Sequence, residues 1–166
     1  MTIKGLGCLA LILFSGILHA QSIVLVSDIN SRYGSTSYDS RVTDAVEAII
    51  QLQPTLVIST GDMVAGQQQP RLDSDWLDRM WRGFNQTVSD PLSRSGVPLL
   101  VTPGNHDGSS YPEYALEQDR FDEQWRSRTP ELELLPGSEW PRRYAARMGT
   151  VLLLAFDLSL IHISEP

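Results

Sequence analysis

Cysteine, histidine and positive charge are all scarce in this chain. Cys8 is the only cysteine, so a disulfide framework is excluded. Histidine occurs three times, as His19, His106 and His162. Lysine and arginine total 13 against 20 aspartates and glutamates, a formal net charge of −7. That balance argues against nonspecific binding to nucleic acid or to an anionic membrane. It leaves a phosphate-bearing substrate open, because metal ions can supply positive charge locally. No internal repeat is found. At 166 residues the chain has room for one domain, and its 42% apolar composition suits a globular core.

Residues 1–20 read as a secretory signal peptide, with Lys4 as the positive start, Leu6 to Leu18 as the apolar core and Leu18-His19-Ala20 as the cleavage site. The apolar run is short for a membrane-spanning helix, so no stable anchor is expected once it is cleaved. The product would be exported, to the periplasm or the medium. Residues 21–157 form the folded domain. Residues 158–166, Leu158 to Pro166, resemble the translated end of a transposon adaptor used in sequencing libraries. They are set aside as a non-native tail.

Within the domain, three apolar runs each end in a carboxylate or an amide. Ile23 to Ser27 runs into Asp28-Ile29-Asn30, Thr55 to Thr60 into Gly61-Asp62-Met63, and Val97 to Val101 into Thr102-Pro103-Gly104-Asn105-His106-Asp107. Any one of these endings alone is equally a polar turn or a helix cap. Between the runs, helical spacing recurs. Val42, Ala45, Val46, Ile49 and Ile50 mark a first helix, capped by Asp39 or Ser40 and closed by Pro54. Trp76, Leu77, Met80, Trp81, Phe84 and Val88 mark a second, starting at Asp73 or Ser74, with a kink or restart at Asp90-Pro91. The tryptophan pair reads as core. Strand–helix–strand units make the sheet parallel, and parallel strands bring their carboxyl ends to one rim, where open α/β sheets bind ligands. Past Asp107, Pro112 opens a helix running to about Arg128. A Pro- and Glu-rich loop, Thr129 to Pro141, follows. Arg142 to Met148, Gly149-Thr150 and Val151 to Phe156 read as a hairpin whose second strand is apolar enough to be central.

The ordered set Asp28-x-Asn30, Gly61-Asp62 and Gly104-Asn105-His106-Asp107 resembles the first three motifs of the calcineurin-like metallophosphoesterase family. Asn30 stands where that family usually has histidine, and the family's two later histidine motifs are not in this sequence. The resemblance implies an α/β fold: the amino-terminal part of a layered α/β/β/α sandwich, its sheet largely parallel with a late hairpin. It implies metal-dependent hydrolysis of phosphate mono- or diesters by two divalent or trivalent ions (manganese, iron or zinc). Two metals about 4 Å apart neutralise the ester's anionic oxygens and acidify a bridging water. By the same resemblance Asp62 is the bridging ligand, Asp28 belongs to the first metal and Asn105 to the second, while Asn30 either binds the first metal more weakly than a histidine or leaves that place to a water. His106 would protonate the leaving oxygen, with Asp107 orienting it through a hydrogen bond. The chain would then be a fragment, inactive without its later ligands.

The other reading is a noncatalytic extracytoplasmic α/β module holding one metal at Asp28-Ile29-Asn30-Ser31. It lacks the spaced serines such a site needs and gives Gly104 to Asp107 no role.

Overall fold

A computed structural model describes residues 21–109 and 111–157. The expected signal peptide and adaptor-like tail lie outside the described residues. The first sheet contains β1 (Ile23–Val26), β2 (Leu56–Ser59) and β3 (Leu99–Val101), all parallel, in the order β1-β2-β3. Val26 pairs with Ser59 and Ser59 with Val101, so the three strands finish level along one edge.

The crossover helices follow their caps. Asp39 takes the amide of Arg41 and starts α1 (Ser40–Leu52), and Asp73 takes the amide of Trp76 and starts α2 (Ser74–Phe84). Val46 and Ile49 of α1 are buried, whereas Ala45, expected on that face, is exposed. The expected break at Asp90-Pro91 takes another form. A π-helical turn, Asn85–Ser89, widens the helix one turn earlier and leads into α3 (Asp90–Arg94). Pro91 cannot donate the next helical bond and its ring crowds the preceding turn; the wider turn accommodates both. The side-chain oxygen of Asn85 accepts from Gln124 at 2.7 Å and Arg128 at 3.1 Å, tying this turn to the helix beyond the third strand. That helix is α4 (Ala115–Arg126), entered through a short 3-10 turn at Pro112–Tyr114.

The second and third strands are covered on both faces, as their near-continuous apolar runs require, whereas the first strand leaves Leu25 on one face 68% exposed. Val57 and Val101 face the helices, among Leu77, Met80, Trp81, Phe84, Leu92, Phe121 and Trp125. Trp81 packs edge to face against Phe84, Phe121 and Trp125 at centroid separations of 5.7, 6.1 and 6.3 Å. Trp76 does not share this core. It is 40% exposed, and its indole N–H donates to the Gly34 carbonyl at 2.7 Å. The first tryptophan of the pair thus clamps a loop.

On the opposite face, Leu56 and Leu100 pack against Tyr144, Ala146 and Met148 of a second sheet. This antiparallel sheet runs β4 (Glu133–Leu134), β5 (Tyr144–Met148), β6 (Val151–Ala155). The late hairpin is therefore present, and the loop before it contributes a third, two-residue strand. The hairpin's second strand, apolar enough for a central place, lies open on one side among the described residues. Among the described residues β6 is an edge, and Leu152 and Leu154 on its outer face are 54% and 60% exposed. The Tyr144 hydroxyl donates to the Val101 carbonyl at 2.8 Å, joining the two sheets just before the third strand's exit. The layers are helices, parallel sheet, antiparallel sheet.

Phe84 is fully buried where α2, α4 and the sheet meet. Phe84→Ala is expected to destabilise the protein by about 3–5 kcal/mol. Urea denaturation followed by tryptophan fluorescence measures this, and a loss below about 1 kcal/mol would contradict the packing described.

Candidate active site

The strand exits continue side by side beyond the sheet. Thr60 N–H donates to Val26 O and Thr102 N–H to Ser59 O, both at 3.0 Å. Further out, Asp28 N–H donates to Gly61 O at 3.4 Å and Asn30 N–H to Asp62 O at 3.0 Å. Asp28 and Asp62 both adopt left-handed backbone, each with φ of 53°. That conformation costs a residue with a β-carbon about 1 kcal/mol and persists only where neighbouring contacts impose it. Here the ladder between the two exits does so.

The second and third exits meet more closely. A β-carbon on Gly61 would lie 2.2 Å from the Gly104 nitrogen, and one on Gly104 would lie 2.2 Å from Asp62 Oδ1. Only glycine at both positions permits this approach. Two carboxylates lock the contact from opposite sides. Asp107, fully buried, accepts Met63 N–H at 2.7 Å and Gly104 N–H at 2.6 Å. Asp62 Oδ1 accepts His106 N–H at 2.9 Å, while its Oδ2 takes no hydrogen bond among the described residues. Burial pushes the Asp107 carboxyl up to about 7, against the lowering pull of its two amide donors.

This arrangement corrects the expected role of Asp107. Both of its oxygens are engaged by the backbone, and His106 Nδ1 is buried without a partner. Asp107 therefore holds the loop that carries His106 and makes no hydrogen bond to the imidazole. The ring of His106 instead meets Tyr33, edge to face, with centroids 5.1 Å apart. The loop after the second strand clasps the third exit as well: Gly66 N–H donates to His106 O at 3.2 Å, and the Gln67 side chain donates to Asn105 O. Glu117 of α4 is buried beneath Gly66, and burial raises its carboxyl. Neither Gln67, in a run of three glutamines, nor Glu117, on a helix of modest amphipathy, carries a recognisable signal in the sequence. Tyr33 lies in the polar loop that follows the first exit, Ser31 to Tyr38.

The expected ligands share the rim without forming one cluster. Asp28 and Asn30 line a cleft of about 350 Å³ against α1, with Val42 and Ile49. Asn105 lines another, of about 580 Å³, between the sheets with Thr60, Thr102 and Phe156. Asp62, on the central strand's exit, is hydrogen-bonded to both flanking exits. Among the described residues no three histidine, cysteine, aspartate or glutamate side chains gather at metal-binding distance. The donors present are all oxygens: the carboxylates of Asp28 and Asp62 and the amides of Asn30 and Asn105. Hard oxygen donors fit a divalent cation such as manganese, with Asp62 Oδ2 the oxygen left open for it.

The family model described as calcineurin-like phosphoesterase matches residues 21–161. The chain belongs to the calcineurin-like phosphoesterase family, whose members are hydrolases that generally bind divalent metals. The match spans the six strands found among the described residues and continues past Asp157. No curated protein matches the chain.

The Asp107 clamp is testable through stability. Asp107→Ala leaves two amides without their acceptor, each at a cost of about 1–3 kcal/mol when buried. Asp107→Asn keeps one acceptor oxygen and is expected to cost less. His106→Ala, which removes no hydrogen bond of its side chain, should leave the urea midpoint nearly unchanged. Equal losses in Asp107→Ala and His106→Ala would contradict the clamp.

Proposed function

We propose that this chain is the amino-terminal part of an exported phosphoesterase that hydrolyses phosphate mono- or diesters at a dinuclear metal centre. The observation that carries the reading is Asp62, held on the middle of three parallel strand exits with one oxygen engaged and the other open. A carboxylate so held suits a ligand shared between two cations. Asp28 and Asn30 would serve one cation and Asn105 the other. Bound there, the metals would withdraw charge from the ester's anionic oxygens and acidify a water nucleophile.

The remaining work falls to the protein. His106 would deliver a proton to the leaving oxygen; its Nδ1 is buried, which leaves Nε2 to meet the substrate. Asp107 would keep His106 and Asn105 in place through the backbone of their loop. Asp28 and Asp62 are the only carboxylates in this donor set, too few to hold two metals firmly. Histidines from the family's later motifs would complete it, so residues 21–157 alone are expected to bind metal weakly and turn over poorly. The negative charge of the chain gives no support to a nucleic-acid partner.

The first expectation is a split between two variants. In a full-length protein carrying the later motifs, Asp62→Ala should abolish manganese-dependent hydrolysis of an aryl phosphate together with metal binding. His106→Ala should retain the metal and slow turnover by about 10²–10⁴. Metal content by atomic emission, set beside the rate, decides it; equal metal loss in both would overturn the division of roles. The second expectation is cleavage after Ala20 in a Gram-negative host. Mass analysis of the periplasmic fraction tests it, and recovery of only uncleaved protein with the membranes would contradict export.

A further inference from the structure

The loop between the first strand and α1, residues 31–38, is polar, exposed in part and unusually well tied down. Gly34 N–H donates to Ala65 O at 2.8 Å, and Gly34 O accepts the Trp76 indole at 2.7 Å. The Tyr38 hydroxyl donates to Met63 O, one residue past Asp62. From below, α2 presents Gly83, where a β-carbon would lie 2.2 Å from Thr36 O. A loop anchored to the second strand's exit and to α2 in this way cannot swing freely, so the side chains on its rim are held in place.

Tyr33 is the side chain that this scaffold presents. Its ring contacts the imidazole of His106 edge to face, yet 55% of the residue remains exposed. No hydrogen bond holds its hydroxyl among the described residues. An acid catalyst must come within hydrogen-bond reach of the leaving oxygen, about 3 Å. The group bonded to that oxygen therefore lies near Tyr33, whose ring contacts the imidazole. A tyrosine fixed by its backbone offers a flat apolar surface at little entropic cost, and aromatic partners gain over aliphatic ones through their quadrupoles.

We propose that Tyr33 is the wall against which the leaving group lies, and that the site selects phosphate esters whose ester oxygen is carried directly on a planar aromatic ring. A ring set further away, as the base of a nucleoside phosphate is by its sugar, would pass beyond the tyrosine. The inference rests on the placement of His106 as the acid beside the phosphate, as proposed above. It adds what that placement leaves open, the class of alcohol released.

The test uses phosphonates, which are inert to hydrolysis and so need no turnover. Phenylphosphonate and methylphosphonate are titrated, with zinc present, into a full-length protein carrying the later motifs. The His106 ring is followed by NMR, its signal assigned by its loss in His106→Ala. Phenylphosphonate should bind about fivefold to tenfold more tightly than methylphosphonate. Tyr33→Phe should keep that ratio, and Tyr33→Ala and Tyr33→Leu should bring it close to one. Because Tyr33 is exposed and buries no hydrogen bond, all three variants are expected to fold, which the amide spectrum checks. A ratio near one in the unaltered protein, or one that survives Tyr33→Ala, would overturn the aromatic preference while leaving the phosphoesterase site standing. If neither phosphonate perturbed His106, the placement of the acid would fall, and this inference with it.

Discussion

Gly61-Asp62 and Gly104 to Asp107 meet backbone against backbone at the rim of the parallel sheet, and the placement of Asp62, Asn105 and His106 follows from that contact. It is reciprocal. Asp107, from the third strand's exit, accepts the amide of Met63 on the second; Asp62, from the second, accepts the amide of His106 on the third. Two glycines remove the β-carbons that would keep the chains apart. The left-handed turn at Asp62 costs about 1 kcal/mol, and each buried bond across the contact would cost about 1–3 kcal/mol if left unmade. The bonds outweigh the strain, so the tight turn is stable even though it is locally unfavourable.

The layers behind the rim explain why so small a contact can be held so firmly. The central strand is covered on both faces, by Phe84 and Leu92 on one side and by Tyr144 and Ala146 on the other. Tyr144 also bonds Val101, the last residue before the third exit. Asn85 fastens α4 to the helical rod, and the start of α4 buries Glu117 beneath the loop that clasps His106. The exits are therefore supported from both sides by packing that does not itself contact a substrate.

Much of this frame is legible in the sequence, because burial on both faces writes itself as an apolar run and the caps announce themselves as aspartates. The strands before Asp28, Asp62 and Asn105 end within a residue of where the apolar runs stop, and Asp39 and Asp73, each one of two candidates, are the caps. What escaped was set by partners distant in the chain. Glu133–Leu134 is too short a strand to show a period, and it exists only because β5 pairs with it. The pattern of Asn-His-Asp leads one to pair the aspartate with its neighbouring histidine. The backbone of Met63, 44 residues away, takes the carboxylate instead. Trp76 belongs to an apolar stripe by spacing, yet it serves the loop that carries Tyr33.

The central proposal is that the three strand exits form one metal-binding rim with Asp62 at its middle. Paramagnetic broadening by substoichiometric manganese tests this most directly, because it reports distance from the ion residue by residue. The account predicts selective loss of the amide signals of Asp28, Asn30, Asp62 and Asn105. Arg94, Val97 and Arg128, at the far end of the sheet, should be untouched. Broadening centred elsewhere, such as on the acidic surface of α4, or spread evenly over the chain, would contradict it.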